Sequence, residues 1–281
     1  MGYGDELMAA GQAMSLFDYH GGQKRVVILD AKGQPRRHEL WEYCSYVALP
    51  DDMGKDEQFL FIVNGPNVRP YVDMLAMRKN FERVFPGRPF TTKVFDRRLP
   101  WVYDMRHRAQ PPILDLFERG KYHGNVVIEP HVKMSVAPNK DWGWDRWQRL
   151  VHLAPEVPWV QLGRPGARLL DGVGYHQTDT YTEAMRYLSG ASAAVLPEGG
   201  LHHAAAAMGV RAVVIYGGFT SPIITGYPTH VNLAYDEWNP CGQKLAGCEH
   251  CKVAMESITP EAVLDHLFTM VPYPPDRRQN E

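Results

Sequence analysis

At 281 residues the chain is longer than one ordinary domain and suits two. A composition of 44% hydrophobic and 22% charged residues supports a large buried core and excludes a disordered or fibrous chain. The formal net charge of −2 carries no partner preference, which must be sought in local charge.

Asp5 and Glu6 stand where a signal peptide would carry basic residues, so the chain is expected to be cytoplasmic, and a helix is predicted over Asp5–Phe17. Short β-branched and aromatic runs at Val26–Asp30 and Phe59–Val63 read as buried strands. The next segment, Arg78–Arg108, holds nine basic residues against three acidic ones, with six aromatics interleaved. Pro100–Gly124 has a Pro-Pro pair and few strand signals, which places a lobe boundary there and gives lobes of 1–120 and 121–281.

Beyond it, strands are predicted at Val126–Ile128, Trp159–Leu162, Ala193–Leu196 and Ala212–Tyr216. Helices are predicted at Asp145–Leu153, Thr180–Leu188, His202–Met208 and Ala262–Met270. Thr180 or Thr182 supplies a cap for the second of these. Thr259-Pro260-Glu261 gives the last one a cap, a first-turn proline and an N-terminal acid. This alternation is the pattern of an α/β fold with parallel sheets covered by helices. The longest apolar run, Ala204–Tyr216, is short and is broken by Arg211, so no membrane span is expected. The tail Asp276–Glu281 is polar.

The segment most informative about chemistry is Ala193–Pro222: strand, Gly-rich turn, small-residue helix, strand, turn. In open α/β sheets ligands bind beyond the carboxyl ends of strands, where free N–H groups at a helix start attract phosphate. Gly199 and Gly200 sit at such a turn and would let the backbone approach an anion. Glu198 would face a phosphate badly but sugar hydroxyls well, which suggests a sugar phosphate. The same spacing also suits a plain βαβ turn with a solvated glutamate. Lys140 lies just ahead of a helix, where the macrodipole disfavours a cation unless an anion is bound, or unless the ammonium is simply solvated. Trp142, Trp144 and Trp147 around it read as core.

Three elements follow in order: Asn139-Lys140-x-Trp142-Gly143-x-x-Arg146-Trp147, then Glu198-Gly199-Gly200-Leu201-x-His203, then Tyr216-Gly217-Gly218-x-Thr220-x-Pro222. Together they resemble glycosyltransferase family 9, the ADP-heptose lipopolysaccharide heptosyltransferases. The family carries similar N-K-x-W, D-[ST]-G-x-x-H and F-G-x-T-x-P elements at similar spacing. The resemblance covers about 125–265 well and the N-terminal lobe thinly. It implies a GT-B fold of two Rossmann-like lobes, with a nucleotide diphosphate sugar donor in the C-terminal lobe and no cofactor. It further implies that Lys140 neutralises the diphosphate, that Gly199 and Gly200 offer amides to it, and that Glu198 binds sugar hydroxyls. Asn139, His203 and Gly217 complete the donor set implied by the motifs. Where this chain has Glu198 the family usually has Asp.

Gly2-Tyr3-Gly4-Asp5 resembles the family's G-D turn, which makes Asp5 the expected general base of an inverting transfer; as a sequence feature alone, Asp5 also fits an N-cap. A strand precedes that turn in the family, but one residue precedes Gly2 here, so a reduced N-terminal lobe is expected. The basic segment, with Arg97 and Arg98, falls in the implied acceptor lobe and points to an anionic acceptor such as a lipopolysaccharide-type saccharide. A DNA strand with a hydroxymethylated base would suit it too, and a solvated basic face is the plain alternative. A non-catalytic nucleotide-sugar binding module is a third reading, suggested by the short lobe. Cys241, Cys248 and Cys251, with His250 between the last two, could supply ligands for a structural zinc or form a loop without metal. The implied transfer needs no metal, because Lys140 and helix N-termini can stabilise the leaving diphosphate.

Overall fold

The computed structural model describes residues 2–54, 57–65, 111–235, 240–241 and 247–271. The basic segment with Arg97 and Arg98, and the polar tail, lie outside the described residues. The chain divides into two compact units, Met1–Phe117 with Ile223–Tyr227, and Glu118–Pro222 with Pro228–Glu281.

In the first unit α1 (Tyr3–Tyr19) buries Leu7, Met8, Ala9, Ala10 and Ala13 against a parallel pair, β1 (Val26–Leu29) and β2 (Leu60–Val63). Alanine, leucine and methionine lose little freedom in a helix, and the β-branched strands fit the pleat. The same helix buries Glu6, whose carboxylate accepts from the Arg36 guanidinium at 2.7 Å. The Glu6 carbonyl accepts from Trp41 Nε1 at 3.0 Å, and the Arg36 guanidinium stacks over the Trp41 ring at 5.0 Å.

The second unit holds a six-stranded sheet in which every neighbouring pair is parallel, in the order β5-β4-β3-β6-β7-β8. Its strands are β3 (Val126–Ile128), β4 (Trp159–Gly163), β5 (Gly174–Gln177), β6 (Ala193–Pro197), β7 (Ala212–Gly217) and β8 (Val231–Ala234). Counted from β3, the order is the doubly wound 3-2-1-4-5-6 of a Rossmann sheet, which reverses direction between β3 and β6. β3, β6 and β7 are buried along their whole length, as a sheet covered on both faces requires.

The helices are α2 (Trp144–Leu153), α3 (Tyr181–Leu188), α4 (Gly200–Ala207), α5 (Glu249–Ser257) and α6 (Pro260–Met270), with one further turn at Pro222–Thr225. Thr180 and Thr259 cap α3 and α6, each hydroxyl accepting the amide three residues on. Glu183 returns a carboxylate to the Thr180 amide and closes a capping box. Trp142 and Trp147 meet edge to face at 4.8 Å between α2 and α6, and Trp142 Nε1 donates to the Ile258 carbonyl at 2.8 Å. No helix among the described residues is long and apolar enough to cross a membrane.

Trp142 is fully buried in this core and also spans the short gap between Lys140 and α2. Trp142→Ala should lower the unfolding free energy by roughly 3–5 kcal/mol in urea denaturation, the cost of a large aromatic cavity. A loss below about 1 kcal/mol would show that the indole is not a core element.

Candidate functional site

The strand order changes direction between β3 and β6, and the carboxyl ends of such strands are where α/β sheets have their ligand crevice. Each strand delivers a carboxylate there. Glu129 directly follows β3 and Glu198 directly follows β6. The segment after β3 then forms a single 3-10 turn, Pro138–Lys140, which brings Lys140 back toward the sheet.

The Lys140 ammonium forms an ion pair with the Glu198 carboxylate. Glu198 is 5% exposed, and the Lys140 side chain keeps 18% of its surface. A carboxylate at that depth requires a cationic or hydrogen-bonding partner, since removing it from water costs several kcal/mol. The ammonium also lies 4.9 Å from the centre of the Phe219 ring, on the turn after β7. Two motifs 58 positions apart therefore meet at one point, and the third borders it.

The turn between β6 and α4 is held from within. The Gly199 amide, expected to face an anion, donates to His202 Nδ1 at 2.9 Å. A neutral His202 ring then carries its proton on Nε2, which lies 3.2 Å from the Tyr216 hydroxyl on β7. The Tyr181 hydroxyl of α3 donates to the Gly200 carbonyl at 2.6 Å. The first amides of α4, beginning at Gly200, have no acceptor inside their own helix. His203 is buried beside His202, ring centres 3.9 Å apart. Glu198, His202 and His203 place ligand atoms within 4.8 Å of one another. The Lys140 ammonium already neutralises Glu198, and both His202 nitrogens have partners, so the trio is a polar network rather than a cation cage.

β7 ends on Gly217 and the chain turns at Gly218. Gly217 has φ +59°, and a Cβ there would stand 2.5 Å from Met255 Cε on α5. Asn139, beside Lys140, is buried and accepts the Cys248 amide through Oδ1 at 3.0 Å. A cavity of about 420 Å³ opens between Asn139, Arg146, Cys248, Cys251 and Met255; neither Lys140 nor Glu198 lines it. Asp5, in the first unit, is half-buried in the opening turn of α1, and its Oδ2 accepts the Gly2 amide at 2.9 Å.

Sequence reasoning gave no role to His202 or Glu129, and Tyr216 entered it only as the first residue of the third motif. Burial pushes the Glu129 carboxyl up, opposed by His131, whose Nδ1 lies 2.6 Å from Glu129 Oε1 and whose own pKa is raised by that bond. Beside them the Arg168 guanidinium stacks over Trp144 at 4.1 Å. The available signal was a carboxylate immediately following the apolar run Val126–Ile128 in a parallel sheet.

No protein-family model and no curated protein matches the sequence. Solved structures do match the fold. E. coli heptosyltransferase WaaC with ADP aligns at TM-score 0.53 and 13% identity, covering 96% of this chain and 98% of WaaC. The iron-containing dodecameric glycosyltransferase TibC of enterotoxigenic E. coli H10407 aligns at TM-score 0.63 and 16% identity, covering 96% and 74%. A family 9 glycosyl transferase from Veillonella parvula aligns at TM-score 0.56 and 13% identity, covering 96% and 94%. The fold is thus that of family 9 heptosyltransferases, built on parallel Rossmann-like sheets.

Two buried histidines make the second unit sensitive to pH. Burial, then the neighbouring His202, push His230 down to about 3. Burial, then His202 and Lys140, hold His203 well below its ordinary value. A histidine depressed in the folded state contributes stability above its unfolded pKa of about 6.5 and loses it as pH falls, by up to about 1.4 kcal/mol per pH unit. The unfolding free energy should therefore drop steadily between about pH 6.5 and pH 4, and His230→Gln should flatten that slope. Parallel pH profiles for the variant and the parent would refute the assignment.

Proposed function

We propose that the chain is an inverting glycosyltransferase that takes a sugar from a nucleotide diphosphate donor held in the second unit, and that the transfer step is metal-independent. The observation that carries this reading is the pairing of the partly exposed Lys140 with the buried Glu198 at the point where the Rossmann sheet reverses. A lone buried ion pair is a poor stabiliser, because desolvation offsets most of its attraction. Its better use is as a preset pair of charges: the ammonium turns to the donor diphosphate while the carboxylate accepts sugar hydroxyls.

Lys140 and the first amides of α4 then face the leaving diphosphate, where negative charge grows as the anomeric C–O bond breaks. Gly199 and Gly217 keep the two turns free of side chains, Asn139 fixes the residue before the lysine, and His203 backs the α4 turn. Asp5 is the base in this reading. The acceptor hydroxyl oxygen bonds to the anomeric carbon, its proton passes to the Asp5 carboxylate, and the electron pair of the broken bond leaves on the β-phosphate oxygen. A single displacement inverts the anomeric centre.

Two matched structures are described with ADP and with ADP-D-β-D-heptose, so adenine-based donors are the first to test. The acceptor class is an anionic saccharide, on the strength of the basic segment Arg78–Arg108 with Arg97 and Arg98.

Calorimetry of ADP-sugars should show Lys140→Ala weakening donor binding about 10- to 100-fold, the loss of one charge-assisted contact. Unchanged affinity would remove the lysine from the donor site. Asp5→Asn should keep donor affinity while turnover falls by about 10²- to 10⁴-fold, the usual contribution of a general base. Full activity in that variant would exclude Asp5, and the failure of every nucleotide sugar to bind the parent protein would exclude the function.

A further inference from the structure

Four groups stand together at the start of α5, apart from the Lys140–Glu198 pair. The ligand atoms of Cys241, Cys248, His250 and Cys251 all lie within 4.8 Å of one another. Cys241 Sγ is 3.1 Å from Cys251 Sγ and 3.6 Å from Cys248 Sγ. In a tetrahedron with metal–sulfur bonds of about 2.3 Å, sulfurs sit roughly 3.8 Å apart, so the cage needs only small outward movements to close on an ion. Cys248 caps α5, and its sulfur accepts the Cys251 amide at 3.4 Å, a polarity that favours a thiolate. The Nδ1 of His250 is buried without a hydrogen-bond partner.

We infer that Cys241, Cys248, Cys251 and His250 bind one tetrahedral thiophilic divalent ion, Zn(II) or Fe(II), which clamps α5 and its loop onto the two turns that flank Lys140. Three thiolates and an imidazole form a closed, four-protein-ligand set with no open position for substrate, so the ion is structural.

The clamp works through backbone bonds made by the ligands themselves. The Cys248 amide donates to Asn139 Oδ1, one residue from Lys140. The Cys241 amide donates to the Gly218 carbonyl at 2.9 Å, on the turn after β7. Gly218 is required for this fit, since a Cβ there would lie 2.6 Å from His250 Cε1. Cys248 and Cys251 also line the 420 Å³ cavity, which gives a chelator its route. Ion binding stands independently of sugar transfer; its effect on donor affinity rests on the function proposed above.

The test is elemental analysis of the purified full chain after dialysis, with Cys248→Ser/Cys251→Ser as the variant and Cys44→Ser as control. About one equivalent of zinc or iron in the parent and the control, and none in the double variant, is expected. Reconstituting the stripped parent with Co(II) should give thiolate-to-cobalt charge transfer and tetrahedral ligand-field bands, a readout that holds even if the variant fails to fold. Parent protein without stoichiometric metal, metal retained by the double variant, or a Cys241–Cys251 disulfide in the intact mass would overturn the site. Stripping the ion should weaken donor binding about tenfold and reloading should restore it. Metal whose removal leaves donor affinity unchanged would overturn the clamp. Absence of donor binding in the metal-loaded protein would instead count against the transferase reading and leave the ion in place.

Discussion

The ion pair between Lys140 and Glu198 is the constraint around which the second unit is organised. Neither charge is tolerable alone at that depth. A lysine there without its carboxylate would face the positive end of α4, and a glutamate without its ammonium would be a desolvated anion. The sheet brings them together because β6 ends where the segment after β3 returns, an adjacency that exists only in a sheet whose order reverses at that point. Topology thus decides the electrostatics: it sets an ammonium and a carboxylate side by side at the strand ends, the two charges that the proposed donor would engage.

The surrounding turns hold that pair in place with polar groups that would otherwise be costly to bury. His202 links the Gly199 amide to the Tyr216 hydroxyl, Tyr181 holds the Gly200 carbonyl, and Asn139 holds the Cys248 amide. The Gly199 bond closes the α4 turn on itself, and the other three each join two different elements of the unit, so displacement of one of those turns strands a buried donor or acceptor in another. Such cross-linking is what a site needs if its charges are to be in position before a ligand arrives.

Much of the fold was legible because the strands that matter are buried on both faces. Val126–Ile128, Ala193–Pro197 and Ala212–Gly217 are unbroken apolar runs between turn signals, and their limits fall within a residue or so of the sequence reading. The structure adds β5, β8 and α5, which the sequence hid for identifiable reasons. β5 is an exposed edge strand reading Gly-Tyr-His-Gln, β8 is half-buried, and α5 opens on Cys248, where a metal-ligand spacing masks a helix cap. At the candidate site, the sequence singled out Lys140 and Glu198 separately through their turns, but their mutual pairing was not legible. Nothing in either motif marks a partner 58 positions away. Nor does a glycine pair reveal whether its amides face outward or inward; the Gly199 amide faces His202, a choice made by the ring that Tyr216 fixes.

That last detail bears on how an anion would be held. With the Gly199 amide donated inward, the positive potential at this turn comes from Lys140 and from the amides at the start of α4. The two differ in kind: the amides are fixed by the helix, whereas the lysine stem can swing. A ligand entering the crevice therefore meets one rigid donor set and one mobile charge, and the cost of drawing the ammonium from Glu198 is recovered only when hydroxyls replace it on the carboxylate. In the function proposed above, an anion without hydroxyls nearby would leave Glu198 unpaired, whereas an anion joined to a polyol would satisfy both groups at once, so the pair would favour a sugar phosphate over a bare phosphate.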